Sequence, residues 1–180
     1  MTTQPQELYL HLQWTGPHTI EEVKQFDGDT HVGLYQVYGA HPVYGTDTLL
    51  YIGLVADEPF AARFRQHEGW CKVNQDSGRL QIHIGRFIGR LSDCSTPDNA
   101  TWCRYIKFAE RLLIYAHQPA LNTQKELASL EPDLRHVHVL NWGQYRLLLP
   151  EASGARWADR FEHITFGTYF TTKDLTQPPA

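Results

Sequence analysis

Cysteine is scarce in this chain, and long apolar runs are missing from it. The three cysteines, Cys71, Cys94 and Cys103, have no Cys-x-x-Cys spacing and cannot build a disulfide framework. They read as reduced thiols, which sets the expected location as cytoplasmic. His67 and Cys71 stand four residues apart, but two ligands do not make a zinc site. The apolar stretches are only a few residues long, too short for a helix to span a bilayer. The first ten residues, MTTQPQELYL, lack the basic region followed by an apolar region that marks a secretory signal. Disulfide scaffolds, zinc modules and membrane-spanning helices are thereby set aside.

Positive charge is nearly absent from the first third of the chain. Residues 1–59 carry one basic and eight acidic groups, residues 60–111 nine and five, and residues 112–180 six and seven, for a net charge of −4. An acidic protein with one basic segment permits a local polyanion-binding surface. What is present otherwise is ordinary for a globular protein: 180 residues, 42% apolar and 20% charged. That length can bury one sizeable core.

Strand alternation is clearest at Glu7–Trp14, where Leu8, Leu10, Leu12 and Trp14 alternate with Tyr9, His11 and Gln13. Thr15-Gly16-Pro17 reads as a turn, and Thr19 with Glu22 resembles a capping box opening a short helix to about Phe26. His31–Tyr38 and Thr48–Leu54 read as two strands joined by the glycine-containing connection Gly39–Asp47, and Leu80–Phe87 as a third. A helix is expected from Thr96 to about His117, with apolar stripe Trp102, Ile106, Ala109, Leu113 and Ala116, and stopped by Pro119. Another is expected after Asn122, followed by a hairpin of His136–Asn141 and Gln144–Leu149. The expected organisation is an N-terminal appendage (1–30), a core (31–130), a C-terminal extension of the same domain (131–170) and a disordered tail (171–180).

Several chemistry-bearing residues lie on these elements. Tyr35 and Tyr51 sit on adjacent strands, where they serve equally well as cross-strand aromatics. Arg63 and His67 are one helical turn apart and are ordinary surface residues by spacing alone. Glu110 falls at or beside the apolar stripe, either as a half-exposed flank or as a carboxylate needing a partner or a metal. Asn122 is a plausible helix cap. Arg65, Lys72, Arg79, Arg86, Arg90, Arg104 and Lys107 supply candidate contacts to a nucleic-acid backbone.

Gly33-Leu34-Tyr35 on one strand and Tyr51-Ile52-Gly53 on the next, followed in order by Arg63, His67, Glu110 and Asn122, resemble the GIY-YIG nuclease family over residues 31–125. Leu34 stands where the family usually has isoleucine. The resemblance implies an α+β fold: a small central antiparallel three-stranded sheet flanked by helices, with additional N- and C-terminal strands and helix. It implies a stand-alone, restriction-like endonuclease that hydrolyses DNA phosphodiesters with one divalent cation, Mg2+, which Mn2+ can replace. Under it Glu110 holds the metal, and Tyr35 with His67 activates water. Arg63 and Tyr51 stabilise or orient the scissile phosphate, and Asn122 positions it. The implied partner is double-stranded DNA, with no membrane; a homodimer or a protein partner is compatible with it. A catalytically inactive nucleic-acid-binding module of the same fold is the alternative.

Overall fold

The computed structural model describes residues 7–28, 32–66, 80–89, 100–122 and 132–157. Strand β1 (Leu8–His18) leads through a capped turn into α1 (Ile20–Val23), and β2 (Gly33–His41) pairs with β3 (Gly45–Val55). Helix α2 (Phe60–Gln66), β4 (Gln81–Phe87) and α3 (Ala100–His117) follow. A 3-10 turn (Pro132–His136) precedes β5 (Val137–Gly143), β6 (Glu151–Ser153) and α4 (Gly154–Trp157).

These strands form one six-stranded sheet in the order β3-β2-β4-β1-β5-β6, curled into a half-barrel. The expected small three-stranded antiparallel sheet is therefore corrected. Strands β2, β3 and β4 do pair antiparallel, but β1 bonds to the far side of β4 and then runs parallel to β5. The alternation in β1 announces a strand without naming its neighbours, and both of its edges find partners far away in the chain. The pair β4 and β1 thus forms the centre of a mixed sheet, with two strands on either side.

Local chemistry accounts for the individual elements. Leu10, Leu12 and Trp14 of β1 are buried while Tyr9 and Gln13 face outward, as the alternation requires. The capping box forms, with the Glu22 amide donating to Thr19 Oγ1 at 3.2 Å and the Thr19 amide donating to Glu22 Oε2 at 2.7 Å. Helix α1 ends earlier than expected, at Val23, because it has only this cap and one buried residue to hold it. The expected turn at Thr15–Pro17 is an irregular end of β1, with the register shift against β4 falling between Thr15 and His18.

Helix α3 buries Trp102, Ile106, Ala109, Leu112, Leu113 and Ile114. It closes at Gln118, whose backbone is left-handed at φ 48° and whose amide donates to Ile114 O at 2.9 Å. His117 fastens the loop beyond β5 to this helix end. Its Nδ1–H donates to Leu113 O and its Nε2 accepts the Leu149 amide, both at 2.8 Å. That leaves the half-buried imidazole neutral, and its partial burial holds the pKa below the ordinary histidine value. The expected strand Gln144–Leu149 does not form. Its backbone is spent on Trp14 O, His117 and the Asn141 side chain, and β6 starts only at Glu151.

The two main helices lie on opposite faces. Tyr35 and Ile84 are register partners and share the face on which Phe60 and Phe64 of α2 pack. Phe87, three residues from Ile84 and so on the other face, meets Trp102 of α3 edge to face at 5.9 Å. No helix among the described residues is long and apolar enough to cross a membrane.

Candidate functional site

The site lies at the β3 edge of the sheet. Register pairs Tyr35 with Gly53 and Val37 with Tyr51, so the two tyrosines stand diagonally on one face, with ring centroids 6.0 Å apart. Gly53 is what permits this. A Cβ there would lie 2.6 Å from Tyr35 Cζ, Tyr35 Oη and Tyr51 Cε1, so the Tyr35 ring crosses over bare backbone. Phe64 and Phe60 clamp the same ring edge-on at 5.0 and 6.4 Å, and only 1% of Tyr35 is exposed.

Helix α2 brings Arg63 to this phenol as a hydrogen-bonding partner. Arg63, Tyr51 and Glu110 then line one open cleft of about 420 Å³, together with Leu54 to Glu58. The Arg63 Nε is buried and has no hydrogen-bond partner among the described residues. Burial raises the Tyr35 pKa above the ordinary phenol value; Tyr51 and Glu110 add to this, and Arg63 opposes it. As it stands, Tyr35 is a neutral hydroxyl that orients the guanidinium, not a ready base.

Four of the six expected site residues therefore converge: Tyr35, Tyr51, Arg63 and Glu110. Asn122 is near but otherwise engaged. Its side chain accepts from the Ile52 amide and donates to the Ile52 carbonyl, both at 3.0 Å, and so pairs with the outer edge of β3 as a strand would. His67 lies outside the described residues, as do Lys72, Arg79 and Arg90.

The described backbone-contact candidates are dispersed. Arg65 is exposed and tied to the Lys24 carbonyl and to Asp27. Arg86 stacks its guanidinium 6.0 Å above Phe26. Arg104 and Lys107 are exposed on α3, and Arg104 lines a different groove with Glu7 and His136. Asp57 and Glu58 on the cleft rim carried no signal in the sequence, because only the turn after β3 brings them opposite Arg63.

A second buried polar cluster occupies the α3 face of β2 and β4. The Tyr38 hydroxyl donates to Gln36 Oε1 at 2.6 Å and accepts from the Leu147 amide at 3.3 Å, under the Arg146 guanidinium 4.8 Å from the ring centroid. Burial pushes its pKa up to about 12. A phenol raised in the folded state contributes stability that is present below pH ~10 and is lost between ~10 and ~12. Urea titrations across this range should show folding stability falling by ~2 kcal/mol more in the parent than in Tyr38→Phe. Equal slopes would refute the assignment.

The reading as a GIY-YIG-type phosphodiesterase or endonuclease, with the nuclease, hydrolase and metal-binding character of that class, is corrected by these findings. The sheet has six strands in mixed pairing, and among the described residues no group of three or more His, Cys, Asp or Glu side chains could hold a metal ion. Glu110 enters the cleft as a single carboxylate. No protein-family model matches the chain, and neither a curated protein nor a solved structure does.

Proposed function

We propose that the cleft at the β3 edge binds the phosphodiester backbone of DNA, with Arg63 as its principal contact. One observation carries this reading. Arg63 is braced by the Tyr35 hydroxyl within an open cleft, and its buried Nε has no partner among the described residues. A guanidinium held in this way presents a fork that matches two phosphate oxygens. Tyr51 adds a hydroxyl at the same wall. Double-stranded DNA in the cytoplasm is the proposed partner, since the basic charge is concentrated in the segment that starts at this helix.

The test is fluorescence anisotropy with a labelled duplex over a salt series. Arg63→Ala should weaken binding by about tenfold or more, the worth of a charge-assisted hydrogen bond, and reduce the salt slope by about one. An unchanged affinity in this variant would overturn the reading.

A further inference from the structure

At the opposite end of the sheet from the cleft, three side chains remote in sequence form a hydrogen-bonded chain. Register places Tyr9, His138 and Ser153 in one row across β1, β5 and β6. Ser153 Oγ lies 2.8 Å from His138 Nδ1, and His138 Nε2 lies 2.7 Å from Glu7 Oε2. The carboxylate can only accept, so Nε2 carries the imidazole proton and Nδ1 presents a lone pair to the Ser153 hydroxyl. The Tyr9 ring stacks on the imidazole at 4.7 Å and 18°, which fixes its plane. His136 makes a second contact to the Glu7 carboxylate at 3.2 Å, and these two histidines hold that group below the usual carboxylate range.

The backbone context is a second, independent observation. Ser153 is the last residue of β6 and Gly154 the first of α4, so the hydroxyl sits on a direct strand-to-helix junction. The junction is tight: a Cβ on Gly154 would fall 1.6 Å from the Leu134 carbonyl oxygen. A serine on such an elbow, next to an imidazole oriented by a carboxylate, is the arrangement that activates a serine nucleophile. The surrounding Glu151-Ala152-Ser153-Gly154-Ala155 lacks both glycines of the usual elbow motif, with Glu151 and Ala155 in their places.

We infer that Ser153, His138 and Glu7 form a nucleophilic site that cleaves small carboxylic esters at the open face of β1, β5 and β6. The hydroxyl gives its proton to His138 Nδ1 as its oxygen bonds the ester carbonyl carbon. The C–O bond to the alcohol breaks, and the alcohol leaves with that proton. Water then attacks the acyl-serine, its proton passing through His138 back to Ser153 Oγ as the carboxylic acid departs. Glu7 steadies the imidazolium, with the Glu151 carboxylate 4.0 Å from Nδ1 as a second stabiliser. The exposed Tyr9 ring stacked on the imidazole favours an aryl group in the ester.

The full-length protein should react with a fluorophosphonate probe, and peptide mapping should place the adduct on Ser153. It should also hydrolyse 4-nitrophenyl acetate, with the rate falling about 100-fold in Ser153→Ala and in His138→Ala. An adduct on another residue, no adduct, or a Ser153→Ala rate equal to the parent's would overturn the site. In that case the hydrogen-bonded chain merely ties three strands together. Probe mapping needs no variant, so the outcome does not depend on whether the substitutions fold.

Discussion

Gly33→Ala is expected to cost on the order of 3–5 kcal/mol of folding stability. Two costs combine at this residue. Its φ of 150° is one that side chains rarely adopt, and a Cβ would lie 2.3 Å from the Gly85 carbonyl oxygen on β4. The obstacle cannot yield cheaply, because it is the backbone of a paired strand. With domain stabilities of about 5–15 kcal/mol, such a loss brings the chain near its unfolding threshold. The urea midpoint checks this; a midpoint matching the parent's would show that β2 and β4 can separate locally.

Gly53→Ala should act differently, by dismantling the cleft more than the fold. The added methyl would overlap the Tyr35 hydroxyl and ring, which are side-chain atoms and can be displaced, at a cost of about 1–3 kcal/mol. Once Tyr35 moves, Arg63 loses its brace, and DNA affinity should fall at least as far as in Arg63→Ala. Combining Gly53→Ala with Tyr35→Leu removes the obstructing ring. That double variant should regain most of the lost stability while still binding DNA poorly, a coupling that additive effects cannot produce. Simple additivity in stability would mean that the ring and the glycine are not in contact.

Both outcomes turn on glycines that the sequence shows only as punctuation. Gly33 and Gly53 are visible as members of Gly33-Leu34-Tyr35 and Tyr51-Ile52-Gly53, but the reasons for them are tertiary: a carbonyl on a third strand and a ring on the facing one. The same holds for Asn122. Its local setting suggests only a helix cap, whereas its side chain pairs with Ile52, 70 positions away.

Local order determined much of the rest. Alternation in β1 and β4, the capping box at Thr19 and the stripe of α3 follow from side-chain period and short-range hydrogen bonding, which a sequence carries within a few residues. That Tyr35, Tyr51, Arg63 and Glu110 belong together was also readable, as an ordered motif.

What the tertiary structure alone decided is which strands are neighbours and what each polar group faces. Strand edges are chemically alike, so nothing in Leu8–His18 dictates that it should bond β4 on one side and run parallel to β5 on the other. That choice turns a three-stranded expectation into a six-stranded sheet. It also links Ser153, His138 and Glu7 in one hydrogen-bonded chain, and leaves Tyr35 too deeply buried to ionise readily. Side-chain period is a property of the chain; partner choice and burial belong to the packed whole, where long-range contacts settle them together.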